Sequence, residues 1–253
     1  MKLKDKVAII TGGAYGIGRA YAMRFGDEGA KIVIADINLE AATATVEALK
    51  EKGAEALAIR TDVSSLEDTQ QMVKKTAEHF GRIDILINNA SVFGRVKVDR
   101  VPFWELTVEQ WDRTMAVNLR GTFLCSQAVF PYMKAQGSGK IINTASGTVF
   151  SGASNYAHYI ASKGGVVALT KALAREVGEY NININCIAPG STFSEDTSNQ
   201  AEFERRKREA APRAMKRVEY PEDLVGTAVF LASSDSDFIT GQTVVVDGGR
   251  IMR

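Results

Sequence analysis

Tyr159 and Lys163 stand four residues apart in a stretch with helical periodicity. That spacing puts both side chains on one helix face, with a rise of about 6 Å between their Cα atoms. A free tyrosine ionises near pH 10, too high for a good base near neutrality, but a neighbouring ammonium favours the phenolate. Tyr159 is therefore a candidate proton-transfer residue and Lys163 the group that tunes it. Ser146 follows the strand-like run 140–145 and offers a hydroxyl to a substrate oxygen on which negative charge develops. Read one at a time, the same residues describe a surface Tyr–Lys pair and a turn serine.

A second constellation lies near the start. Residues 11–18 read Thr-Gly-Gly-Ala-Tyr-Gly-Ile-Gly, between a strand-like run and a helical pattern. Spaced glycines at such a turn let backbone approach a pyrophosphate, and the following helix end supplies N–H groups and a positive dipole. A dinucleotide is the expected guest; a glycine-rich turn without a ligand is the alternative. Asp36 ends the second strand-like run, where a carboxylate can accept both ribose hydroxyls of the adenosine half and repel a 2′-phosphate. This favours NAD over NADP, although an aspartate there could equally cap the helix after Ile37.

These residues need strand and helix ends to hold them. Short β-branched runs recur at 7–11, 31–36, 56–62, 84–88, 140–145, 182–188 and 243–246. Helical patterns separate them at 17–28, 39–52, 66–80, 108–133, 157–178 and 221–232. The alternation predicts one α/β domain over residues 1–253, a Rossmann-type, doubly wound parallel sheet with helices on both faces and chemistry at the strand exits. Residues 191–217 interrupt the rhythm, being polar and long for a connection, and are the expected lid within that domain.

Bulk properties exclude several classes. A length of 253 residues, 45% hydrophobic and 24% charged, describes a globular chain with a sizeable core rather than a disordered one. A net charge of +1 gives no nucleic-acid footprint, and the run Arg205, Arg206, Lys207, Arg208 reads as a solvated helix face. Two histidines, His79 and His158, are too few and too far apart for a His-based metal site, so no metal is expected. Cys125 and Cys186 sit in apolar segments and read as core thiols. The opening residues run straight into a strand pattern without a signal-type apolar region, and no run of 18 apolar residues occurs, so a cytoplasmic protein with no membrane partner is expected.

Taken together, the motifs resemble the classical short-chain dehydrogenase/reductase family, whose glycine pattern is Thr-Gly-x-x-x-Gly-x-Gly. Residues 11–18 match it completely, and Asp62-Val63, Asn88-Asn89-Ala90, Asn118, Ser146, Tyr159-x-x-x-Lys163, Pro189-Gly190 and Asp247-Gly248-Gly249 follow in the family's order. The resemblance implies a catalytic tetrad of Asn118, Ser146, Tyr159 and Lys163. In it Asn118 holds a water that links Lys163 to solvent, and Lys163 also binds ribose. It further implies that NAD is held by Gly12, Tyr15, Gly16, Ile17, Gly18, Asp36, Asp62, Val63, Asn89, Ala90, Tyr159, Lys163, Pro189, Gly190, Thr192 and Ser194. Two departures stand out. Ser91 replaces a more usual glycine, and Ser194 a more usual threonine that would meet the nicotinamide carboxamide.

The implied activity is interconversion of a secondary alcohol and a ketone, with a homotetramer expected and a dimer next. Phe93, Phe103, Trp104, Thr148, Phe150, His158 and Phe193 are candidate pocket walls, which would suit a small apolar, aromatic or cyclic substrate. Two other readings stay open: a 3-oxoacyl-[acyl-carrier-protein] reductase, and a catalytically silent nucleotide-binding protein.

Overall fold

The computed structural model describes residues 1–93, 98–194 and 200–252. Seven strands, β1 (Val7–Thr11), β2 (Lys31–Asp36), β3 (Ala56–Arg60), β4 (Ile85–Asn88), β5 (Gly139–Thr144), β6 (Ile182–Pro189) and β7 (Thr243–Val246), form one sheet in the order β3-β2-β1-β4-β5-β6-β7. Every pairing is parallel. The strand order reverses between β1 and β4, and at such a switch point the βα loops diverge and leave a crevice beyond the carboxyl ends. The doubly wound sheet expected from the alternating pattern is therefore present.

Period-two alternation divides the strands between two cores. Ala8 and Ile10 of β1 and Ile32 and Ile34 of β2 face α1 (Gly16–Asp27), α2 (Leu39–Glu51) and α9 (Glu222–Ala232), where Phe25, Leu49 and Leu224 are fully buried. Ile9 and Val33 face the other way, onto α3 (Leu66–Phe80), α5 (Gly121–Gln136) and α7 (Ala157–Val177). Cys125 and Cys186 are both free and buried, as core thiols should be.

The helical pattern over 108–133 proves to be three segments in succession: α4 (Val108–Met115), a π-helical turn (Ala116–Arg120) and α5. Thr107 starts it with a capping box to Gln110. The π turn carries Asn118, and single π turns inside helices frequently mark functional positions. The expected lid contains a helix that polarity alone concealed, α8 (Gln200–Ala210), while residues 195–199 lie outside the described residues. A short α6 (Thr148–Ser151) follows β5. The other bounds agree with the pattern to within two residues.

At the amino ends of the strands, Asp84 joins β1 to the approach of β4. Its buried carboxylate accepts from Val7 N at 2.9 Å and from Arg82 Nε and Nη2 at 2.8 and 2.6 Å. Burial alone would push this carboxyl up, but the Arg82 and Val7 hydrogen bonds and the charge of Lys6 outweigh it and hold the group below its ordinary value. A carboxyl lowered in the folded state contributes stability above its unfolded pKa of about 3.9 and loses it as pH falls through the folded value. Asp84→Asn should therefore cost about 1–3 kcal/mol from pH 5 to 8, with the deficit narrowing below about pH 4, as read by urea midpoints across that range.

Candidate active site

A cavity of about 930 Å³ lies over the switch point, lined by the β1–α1 turn, the ends of β2, β4, β5 and β6, the start of α7, and α8. The β1–α1 turn depends on its glycines. Gly12 (φ +62°) passes so close to the β4 exit that a Cβ would stand 2.9 Å from Ala90 Cα, and Gly16 takes φ +50°. Gly18 lies behind the turn rather than on the cavity wall, and its own Cβ would stand 2.1 Å from the Gly12 carbonyl oxygen. It was expected to touch the cofactor; its visible task is to let α1 approach the turn.

Tyr15, the N-cap of α1, makes no side-chain cap bond, so the amino end of α1 at Gly16 and Ile17 meets the cavity with backbone donors free of side-chain capping. A glycine cradle and an uncapped helix N-terminus together suit a dinucleotide pyrophosphate.

Thr11 and Asn89 tie that turn to β4. Thr11 Oγ1 donates to Ile87 O at 3.2 Å and accepts from Asn89 N at 3.0 Å, while Asn89 Nδ2 donates to Thr11 O and Gly12 O at 3.1 and 3.0 Å. Beneath them Asn88 Nδ2 donates to Asn143 Oδ1 of β5 at 2.9 Å and to Ser126 Oγ of α5 at 3.1 Å. Asp36 points back at the turn: Oδ2 accepts from Ala14 N at 3.1 Å and Oδ1 from Asn38 N at 3.0 Å. It is not the cap of α2, because Asn38 takes that place by accepting from Ala41 N. The Asp36 carboxylate lines the cavity and keeps acceptor capacity beyond those two bonds. Arg60, its register partner on β3, is engaged by Asp68 at 3.2 Å.

Tyr159, Lys163 and Ser146 come together at the other end of the cavity. Lys163 is buried and donates through Nζ to Thr144 O, at the end of β5, at 2.8 Å. Burial brings its pKa down to about 8, opposed by the nearby Cys186 thiol. Burial pushes Tyr159 up to about 12, with the Ser146 hydroxyl opposing the rise, Tyr156 adding to it and Arg206 again opposing it. The lowering of Tyr159 expected from Lys163 is not among the influences on the phenol in the chain by itself; the ammonium is turned to Thr144 and lies 6.0 Å from the Tyr159 ring centroid. Ser146 Oγ accepts from Thr148 N and Oγ1 at 3.3 and 2.9 Å.

Asn118 is buried behind the cavity rather than on it. Its Oδ1 accepts from Val92 N at 2.8 Å and from Ser91 Oγ at 3.1 Å, and its Nδ2 donates to Ser162 Oγ at 3.0 Å. The serine that replaces a glycine at position 91 is thus absorbed as a partner of Asn118. Asp62, Val63, Ala90, Pro189, Gly190, Thr192 and Ser194 all line the cavity. Thr192 Oγ1 is turned away to Glu219 Oε1 at 2.7 Å, and Glu219 is buried against Arg213 at 3.2 Å.

The expected pocket walls divide. Phe93 and Thr148 line the cavity, and Phe93 stacks 5.1 Å from the Tyr159 ring. Phe103 and Trp104 are exposed and meet edge to face, with ring centroids 5.1 Å apart. Phe150 and His158 are off the cavity wall; His158 is buried, and neither ring nitrogen has a hydrogen-bond partner among the described residues. Phe193 is buried against Phe203 and Tyr220.

In their place stand residues that composition had not suggested: Tyr156, Arg100, Arg205, Arg206, Glu209 and Arg250. The run 205–208 is not a uniformly solvated face. Arg206 is 4% exposed, donates to Glu202 Oε1 and Ser191 Oγ at 2.8 Å each, and turns into the cavity, whereas Lys207 and Arg208 stay exposed. A buried residue within a basic run was legible only as the inward position of an amphipathic helix.

A doubly wound sheet with a glycine turn and a cavity over its switch point defines a nucleotide-binding class of fold. Residues 12–250 match the family model described as enoyl-(acyl carrier protein) reductase. The chain is 40% identical over 250 residues to the (2S)-[(R)-hydroxy(phenyl)methyl]succinyl-CoA dehydrogenase subunit BbsD of Thauera aromatica, covering 99% of this chain and 98% of that one. It is also 40% identical over 263 residues to the sorbitol dehydrogenase of Cereibacter sphaeroides, covering both chains fully. The crystal structure of levodione reductase superimposes with a TM-score of 0.92 at 35% identity, over 98% of both chains. The chain belongs to the short-chain dehydrogenase/reductase family, and with it to the oxidoreductases that act on CH–OH groups with a nicotinamide cofactor.

Proposed function

We propose that the protein interconverts a secondary alcohol and a ketone with NAD, using Tyr159 to carry the proton. The observation that carries this reading is the placement of Tyr159 on the cavity wall between Ser146 and Phe93, one helical turn from Lys163, opposite the glycine turn. When bound, the nicotinamide supplies or accepts the hydride.

The chain's own residues do the rest. In the oxidation direction the Tyr159 phenolate accepts the alcohol proton, and in reduction the phenol returns it. Ser146 donates to the substrate oxygen where charge develops. Lys163 keeps its charge in a buried setting by bonding Thr144 O, and from there it would hold the cofactor ribose. The Asn118 side chain is committed to Val92, Ser91 and Ser162 and its backbone carbonyl accepts from Thr122 Oγ1 at 2.8 Å, so a water relay from Lys163 would have to share that carbonyl with the threonine. Residues 191–217 act as a lid of one NAD-binding domain, closing the substrate end and excluding water.

Support for NAD comes from Asp36, a cavity-facing carboxylate fixed by two backbone donors. An apolar groove of about 1020 Å³ between α4, α5 and α7, with Leu119, Phe123, Ala168 and Leu169 on its walls, supports a homo-oligomer, a tetramer first and a dimer next. A cytoplasmic setting is part of the same reading, and among the described residues no helix is long and apolar enough to cross a membrane.

Tyr159→Phe removes the proton carrier and keeps the ring. It should lower kcat by about 10²- to 10⁴-fold with cofactor binding nearly unchanged, and retained turnover in a steady-state assay contradicts the assignment. NAD should exceed NADP in kcat/KM by about tenfold or more, because like charges in a partly desolvated site cost about 1–3 kcal/mol. Asp36→Ala should shrink that ratio mainly by improving NADP use, and a ratio unmoved by the substitution removes Asp36 from cofactor selection.

A further inference from the structure

The substrate end of the cavity is charged, and its charges are not all balanced. Tyr156 stands beside the proposed proton carrier, the two ring centroids 6.0 Å apart. Over its ring lies the guanidinium of Arg100, with Cζ 5.0 Å from the Tyr156 centroid. Arg100, Arg205, Arg206 and Glu209 all line the cavity and all act electrostatically on Tyr156. Arg205 is paired with Glu202 and with Glu209 Oε1, and Arg206 with Glu202 and Ser191. Arg100 differs: it is exposed, it stacks on an aromatic ring, and among the described residues it has no carboxylate partner.

A guanidinium held over a ring keeps its in-plane N–H donors free, and that fork matches a carboxylate bidentately. Arg100 and Tyr156 line the cavity together with Tyr159, whereas the glycine turn and Asp36 are the parts of it assigned above to the cofactor. Arg206 is buried and its charge is answered by Glu202 and Glu209, so it orders the lid side of the cavity rather than charging it. An apolar ketone would leave this arrangement unused.

We infer that the substrate is a hydroxy or oxo acid, whose carboxylate, a few carbons from the carbinol, is received by Arg100 above Tyr156. This rests on the proposed function and narrows its substrate class. A neutral substrate with the same carbon frame gains nothing from Arg100, so selection for the acid is the expected signature, and it weakens as salt screens the exposed guanidinium.

The test is binding rather than turnover, so that it does not depend on Tyr159 chemistry. With NADH bound, so that an alcohol cannot be oxidised, calorimetry compares 3-hydroxycyclohexane-1-carboxylate with its carboxamide. NADH binding is established first by its own fluorescence; Tyr159→Phe kinetics report separately on the proposed reaction. The acid should bind at least about tenfold more tightly than the amide, a difference of about 1.4 kcal/mol. Arg100→Gln should abolish that preference while leaving the amide's Kd and the NADH Kd unchanged. The inference is overturned if the amide binds as well as the acid, if neither binds, if Arg100→Gln leaves the preference intact, or if that variant weakens NADH instead.

Discussion

Lys163 donates to the Thr144 carbonyl from a position withdrawn from water, and this bond joins α7 to the end of β5. An ammonium in such a place must be hydrogen-bonded, because burial otherwise drives it toward its neutral form. Once it is anchored, helix geometry sets where Tyr159 falls, one turn earlier on the same face, and β5 sets where Ser146 falls, two residues past its end. Three side chains from two elements are thereby brought to one wall by a single bond and two regular repeats.

The opposite wall is made by backbone. β1 and β4 are neighbours in the sheet but send their chains to opposite faces, and the gap is bridged by Thr11 and Asn89 rather than by packing. Glycine at 12 and 18 is required there by contact distances that no side chain could meet. Asp36 then fastens the turn through Ala14 N, so the group proposed to choose the cofactor also holds the loop that receives it. The cleft is consequently an outcome of strand order.

Much of this was legible in the chain because it follows short-range rules. Alternating apolar runs announce buried strands, glycine spacing announces a turn without side chains, and an i,i+4 pair announces a shared face. What escaped depends on tertiary context. The π turn at Asn118 leaves the apolar repeat of 108–133 nearly undisturbed, so periodicity reads through it. Phe193 and His158 were expected at the pocket and are drawn away from it into buried surroundings. Arg206 was assigned to solvent because a run of cations usually is; its burial requires Glu202 one turn earlier and Ser191 from another segment, a combination no local pattern reveals.

In the proposed function Tyr159 is the ionising group of a cleft that receives a cationic nicotinamide. Its phenolate can be followed by near-ultraviolet difference titration of the native protein against Tyr159→Phe, without and with NAD. One tyrosine, absent from the variant, should ionise at about 12 in the free protein and several-fold more readily with NAD bound. A Tyr159 titration that NAD leaves unmoved would contradict it.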